Sequence, residues 1–208
     1  KRLFVVGMQG RSQVTFPDPT HGVGSVGIRT ARDAIGDLPD AGEFGKCGIH
    51  NHEPTAHSAA MVERLQRLEP GKREPGSFHD RLHPDKPSFT LRAGSGNFSP
   101  LRPIHYRYDR VITARESARL QGFDDTFIWS DEIPRLQQYR QIGNSVPPPL
   151  ARAFATSMAR QLGWSLHPER HVGEADERPN PRQLSDSERR DARLSRLRGA
   201  SLGRVVAA

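Results

Sequence analysis

The apolar and polar positions of the chain change rhythm several times. Leu3-Phe4-Val5-Val6 is a continuous apolar run closed by Gly7, which predicts a buried strand of a parallel sheet. A chain that opens inside such a strand is expected to lack what precedes it. From Met8 the rhythm dissolves into Phe16-Pro17-Asp18-Pro19-Thr20-His21-Gly22, a turn-rich segment. The stretch from Thr30 to Pro39 predicts a short capped helix stopped by Gly36 and Pro39. Met61, Leu65 and Leu68 share a helical face, with Gly71 ending that helix. Residues 70–105 are punctuated by prolines too irregularly for a helix, and 86–97 combine a short strand with a glycine-rich loop.

Helical signals return later in the chain. Thr113-x-x-Glu116 is a capping box opening a helix that carries Ala118, Leu120 and Phe123, with Gly122 near its end. At Gly143 a tight turn is expected, offering the short polar groups of Asn144 and Ser145 before Pro147-Pro148-Pro149 delays the next helix. Leu150, Phe154, Met158 and Leu162 then fall on one face. A polar turn at the mouth of a buried helix can hold a small polar ligand, and the same pattern fits a plain loop before a packing helix. Residues 165–183 read as a polar linker. After Ser185-x-x-Glu188 the leucines make only a narrow stripe among many arginines, so a basic tail is expected there rather than a packed helix.

Composition narrows the classes. Hydrophobic residues make up 34%, and no apolar run approaches the roughly 18 residues of a membrane span, so no membrane partner is expected. The start, Lys1-Arg2 followed by four apolar residues, is too short for a secretory signal. A single cysteine excludes an internal disulfide and suits a reducing, cytoplasmic setting. The net charge of +7 favours a polyanionic partner. Gly22-Val23-Gly24-Ser25-Val26-Gly27 is a literal GxGxxG, but no strand precedes it and no acid follows at the required distance, so no dinucleotide site is expected. Cys47, His50, His52 and His57 are spaced C-x2-H-x-H-x4-H, which is not a usual structural zinc pattern, and no metal is expected.

Two motifs change the picture. Gln141-Ile142-Gly143-Asn144-Ser145-Val146-Pro147-Pro148-Pro149-Leu150 resembles the last motif of the cytosine-5 DNA methyltransferases. Arg110-Val111-Ile112-Thr113-Ala114-Arg115-Glu116-Ser117-Ala118-Arg119-Leu120-Gln121-Gly122-Phe123 is similar to the motif that precedes it, in the family's order and spacing. Arg2-Leu3-Phe4-Val5-Val6-Gly7 looks like the end of the family's Gln-x-Arg-x-Arg motif and its strand. Lys86-Pro87-Ser88-Phe89-Thr90-Leu91-Arg92-Ala93-Gly94-Ser95-Gly96-Asn97 resembles its Thr-Leu element. The resemblance spans residues 1–162.

It implies an α/β fold: the carboxy-terminal portion of a Rossmann-like methyltransferase domain with an inserted small mixed α+β target-recognition domain. Residues 1–10 would belong to the catalytic domain, 11–105 to the recognition domain and 106–163 to the return into the catalytic domain, with 164–208 as linker and basic tail. Arg2 would reach the flipped target cytosine through O2. Asn144, Ser145 and Val146 would bind S-adenosyl-L-methionine. Thr90, Leu91, Arg92, Gly94 and Gly96 would contact double-stranded DNA, where glycines let the backbone approach and Thr and Arg can reach base edges or phosphates. Lys72 and Arg73 are candidates for backbone phosphates. Where the family has Phe-Pro-Asp this chain has Phe123-Asp124-Asp125, which puts the local turn in question.

Methylating carbon 5 requires a thiolate at carbon 6, an acid near N3 and a base outside the stack. The family's Pro-Cys-Gln, Glu-Asn-Val and Phe-x-Gly-x-Gly motifs do not occur here, and Cys47 sits in Gly45-Lys46-Cys47-Gly48. The chain is therefore expected to be inactive alone and to need an amino-terminal catalytic half, on the same chain or on a separate subunit. A cognate restriction endonuclease is a further implied partner. The alternative is a non-catalytic, sequence-specific DNA-binding module.

Overall fold

The structure, a computed structural model, describes residues 4–10, 13–21, 27–42, 48–94 and 103–164, all within one structural unit, Lys1–Pro168. Arg2, Cys47, Gly96 and the basic tail lie outside the described residues. The element order is α1 (Ala31–Ile35), α2 (Ala59–Gln66), β1 (Asp80–Arg81), β2 (Pro103–Ile104), α3 (Ala114–Gln121), α4 (Arg135–Asn144) and α5 (Pro148–Leu162).

The capping box at Thr113 forms, and the capped helix at Thr30 begins with a second one. The Thr30 side chain accepts from Asp33 N–H while Asp33 accepts from Thr30 N–H, and Thr113 and Glu116 repeat the exchange at α3. Each cap satisfies donors that the first helical turn leaves open, an effect typically worth about 1 kcal/mol. The next donors of α1 are taken up by a distant loop: Ala31 N–H donates to Lys86 O and Arg32 N–H to Pro84 O, both at 2.9 Å. Helix α3 ends at Gly122, whose φ of 91° is the left-handed conformation that favours glycine.

Two expectations change. Residues 4–8 form no strand among the described residues, and Val5 is 86% exposed. A strand is completed by a neighbour that takes its backbone hydrogen bonds, and none is present in the described chain. Nor do the described residues of 86–97, up to Gly94, form a strand: the parallel pair is instead Asp80–Arg81 with Pro103–Ile104, extended by antiparallel bridges from Arg73 to Asp80 and from Ile104 to Val111. Leu68 also falls just past α2, which caps at Arg67.

Helix α3 sits among the buried groups. Ala114 and Ala118 pack with Trp129, Tyr139 and Ile142, while Leu120 lies against a second cluster of Ala31, Ala34, Ile35, Leu38, Leu82, Tyr106 and Ile112. Leu65, Ile104 and Val111 form a third. The polar residues of α3 are buried as well, so each must find partners. Glu116 is fully buried and receives both guanidinium branches of Arg110 at 2.9 Å. Arg115 is 1% exposed and donates to His50 O (3.1 Å), Phe127 O (2.9 Å), Asp124 O (3.3 Å) and Asn51 Oδ1 (3.4 Å). Asn51, with φ of 63°, completes the junction by exchanging hydrogen bonds of 3.0 Å with the backbone of Trp129.

Candidate functional site: the α4–α5 turn and the Thr90–Leu91–Arg92 segment

The turn expected at Gly143 lies further on. Helix α4 runs through Gln141, Ile142, Gly143 and Asn144 before the chain turns at Ser145, Val146 and Pro147. Nor do the prolines delay α5: Pro148 and Pro149 are its first residues, where a missing N–H costs no helical bond. Asn144 is exposed, and among the described residues its side chain has no hydrogen-bond partner. Ser145 is half-buried and donates its hydroxyl to Ile142 O at 2.7 Å. Val146 is 54% exposed.

The turn is fixed from α3. Gln121 donates its amide to Ser145 O at 2.9 Å. At Gly122 an added Cβ would stand 2.7 Å from Pro149 Cδ, so α3 can approach α5 only with glycine there. The sequence departure after Phe123 is absorbed locally. Asp124 Oδ1 accepts from Thr126 N–H at 2.9 Å, and Asp125 takes two bonds from Arg119. Arg119 also donates to Asp37 at 2.6 Å, and these carboxylates raise its pKa above the usual arginine value.

Gly143 has a role that its place in the sequence does not disclose. A Cβ there would lie 2.5 Å from the carbonyl carbon of Arg92 and 2.6 Å from the amide nitrogen of Ala93. Helix α4 therefore abuts the backbone of the 90–94 segment one residue before Asn144. Within that segment Leu91 is half-buried and packs on two apolar clusters, whereas Thr90 and Arg92 are exposed. Gly94 has φ of 75°, a left-handed turn. Leu91 thus anchors the segment, and Thr90 and Arg92 flank it on the surface.

His52 and His57 hold the scaffold. His52 Nε2 is 3.0 Å from Pro39 O, an acceptor only, so Nε2 carries the proton and Nδ1 accepts from the Thr113 hydroxyl at 2.8 Å. His57 Nε2 accepts Val111 N–H at 3.1 Å. Among the described residues no group of His, Cys, Asp or Glu is arranged to hold a metal, and no helix is long and apolar enough to cross a membrane. The sequence offered Gly143 only as a turn, not as a contact with the 90–94 segment, and did not single out Gln121. Only the Arg-Leu-Gln-Gly-Phe run, ending in a glycine before the aromatic, hinted at Gln121.

The motif that opens α3 and the motif that closes α4 thus meet in space as well as in order. Over residues 1–160 the sequence matches the family described as C-5 cytosine-specific DNA methylase. The chain belongs to this family. It is 32% identical over 171 residues to Type II methyltransferase M1.HphI of Haemophilus parahaemolyticus, covering 76% of this chain and 43% of that protein. To Type II methyltransferase M.BbvI of Brevibacillus brevis it is 33% identical, covering 80% of this chain and 46% of that protein. To Type II methyltransferase M.AquIB of Picosynechococcus it is 34% identical, covering 55% of this chain but 90% of that relative. The chain thus spans about half the length of the first two relatives. The family methylates cytosine at carbon 5 with S-adenosylmethionine as donor, and its relatives here are type II modification enzymes.

Proposed function

We propose that this chain supplies the DNA-recognition and cofactor-closing part of a DNA (cytosine-5-)-methyltransferase of a restriction–modification system. Its substrate is a cytosine flipped out of double-stranded DNA. The observation that carries the reading is the junction at Gly143, which seats the Thr90–Leu91–Arg92 segment against the helix that ends in Asn144. On this reading Thr90 and Arg92 face the major groove, with Gly94 and Gly96 letting the backbone come close. Asn144, Ser145 and Val146 border the cofactor. Arg2 serves the target base, and residues 11–105 form the recognition domain inserted in the α/β fold.

The turn suits the cofactor. S-adenosylmethionine supplies an activated methyl group on a cationic sulfur. The C-terminal end of α4 carries the partial negative charge of its unpaired carbonyls, and no basic residue stands in its last turn to neutralise that charge. The end of α4 therefore favours a cation, and the Asn144 amide can both donate and accept beside it.

Nucleophile and acid come from an amino-terminal half, on the same chain or on a second subunit. In support, the chain lacks Pro-Cys-Gln and Glu-Asn-Val, and its one cysteine has the wrong neighbours. The second subunit is favoured by M.AquIB, a relative that is itself short enough for a 131-residue alignment to cover 90% of it.

Purified alone, the chain is expected to incorporate no labelled methyl group into DNA, and activity is expected on mixing with an amino-terminal half. Methylation by the chain alone overturns the division of labour. In the assembled enzyme, Asn144→Ala is expected to weaken S-adenosylmethionine binding more than DNA binding. Thr90→Ala and Arg92→Ala should do the reverse, costing about 1–3 kcal/mol of discrimination per lost base contact. Calorimetry showing unchanged cofactor affinity in Asn144→Ala, or equal losses on cognate and scrambled duplexes for Arg92→Ala, would remove the respective assignment.

A further inference from the structure

Residues 105–110 form a tight turn closed by the antiparallel bridge of Ile104 with Val111 and by His105 N–H to Arg110 O at 3.0 Å. The turn is organised from inside. His105 is buried, and its Nδ1 accepts both Arg107 N–H (2.9 Å) and Tyr108 N–H (3.2 Å). Its ring stacks on Tyr106 at 4.5 Å between centroids and tilts against Tyr108 at 4.6 Å. Arg107 projects from this clasp and is exposed, its guanidinium carbon 5.8 Å from the Tyr106 ring centre and 5.9 Å from that of Tyr108.

The nearby acids are already engaged. Asp109 pairs with Arg81 at 2.5 Å, Glu116 with Arg110 at 2.9 Å, and Asp40 with Arg110 at 3.2 Å. Among the described residues no carboxylate forms an ion pair with Arg107. Of the two residues named above for backbone phosphates, Arg73 is already held by two bonds to Asp80, a restraint that Arg107 does not share. A guanidinium held on two rings loses little side-chain freedom when it gains a ligand, and its fork of donors matches the oxygens of a phosphate.

We infer that Arg107, presented by the His105–Tyr106–Tyr108 clasp, binds a phosphate of the DNA backbone, and that it positions the duplex rather than reading its sequence. The inference rests on the DNA-recognition reading above and adds a contact outside the 90–96 segment. A phosphate contact releases condensed counterions, so it is visible in the salt dependence of binding whatever the base sequence.

The test uses the full chain and two unrelated labelled duplexes, with anisotropy titrations over a series of salt concentrations. Arg107→Ala is expected to lower the slope of log K against log salt by about 0.9 on both duplexes, the share of one phosphate, with the melting temperature unchanged. Arg107→Lys keeps the charge and is expected to restore the slope. A wild-type slope in Arg107→Ala overturns the inference alone. So does a loss confined to one duplex, which would indicate base contact, or a fall in melting temperature that Arg107→Lys does not repair. If the wild-type chain binds neither duplex at low salt, the inference falls together with the DNA-recognition reading.

Discussion

Two histidines of this chain accept backbone N–H groups at a ring nitrogen that must stay free of a proton: His57 Nε2 and His105 Nδ1. Burial holds the pKa of His105 down to about 4 from 6.5, against the pull of Glu116, whose carboxylate lies 3.8 Å from Nε2. His57 is lowered too, by burial first and Arg110 second. Between pH 6.5 and about 4 the unfolded chain binds protons that the folded chain refuses, so stability falls as pH is lowered through that window. For His105 the full loss is on the order of 3 kcal/mol. Urea unfolding from pH 7 to 4.5 is expected to show this decline, and His105→Asn, whose amide oxygen can replace Nδ1 as acceptor, is expected to flatten it. An equally steep decline in His105→Asn would exclude His105 as its source. None of these roles was legible in the sequence. The C-x2-H-x-H-x4-H spacing shows which donors are close along the chain, whereas the partners Pro39, Thr113 and Val111 come from elsewhere in it.

At the scale of elements, what could be read was what is local. The cap expected at Thr30 and the capping box expected at Thr113 involve residues three apart, and both form, the first as a full box with Asp33. The stripe of α5 was equally plain, but the helix is not buried as expected: Leu150, Phe154, Met158 and Leu162 are half-buried, and Ala159 is its one buried residue. The extent of α4 was not plain, because glycine and asparagine are poor helix formers and argue for a turn at Gly143. The cause of that glycine is a backbone some fifty positions away in sequence, at Arg92 and Ala93. Gly143→Ala is accordingly expected to destabilise the chain by about 1–3 kcal/mol, the usual range for an overpacked site, although alanine is the better helix former. A melting temperature at or above that of wild type would show that the 90–94 segment yields freely. The apolar run at 3–6 illustrates the opposite case, a local signal with no neighbouring strand among the described residues: Phe4 and Val5 are exposed rather than laid into a sheet. One expected element was replaced outright, since the short strand foreseen within 86–97 gave way to the pairing of 80–81 with 103–104.

Across the whole molecule, the first described residues return to α5. The Phe4 ring stacks on Phe154 of α5 at 5.2 Å, and Phe16 meets it edge-on at 5.7 Å. Ring pairs of this kind contribute about 0.5–1.5 kcal/mol each beyond their burial. Phe154→Ala is expected to speed proteolysis within residues 4–16 while leaving the clusters around α3 intact, so near-ultraviolet dichroism from Trp129 should persist. Simultaneous loss of both signals would mean that this contact supports the entire fold. Residue Thr15 is joined to the same helix by a different device. Its N–H donates to Gln161 Oε1 at 2.8 Å, and its carbonyl accepts from Gln161 Nε2 at 2.7 Å. A side-chain amide thereby occupies the place of a neighbouring peptide unit, one rung of a ladder without a second strand. Its consequence belongs to hydrogen exchange. The Thr15 amide should exchange slowly with deuterium despite lying outside any strand, and Gln161→Ala should release that one proton to solvent while the amides of α5 keep their protection.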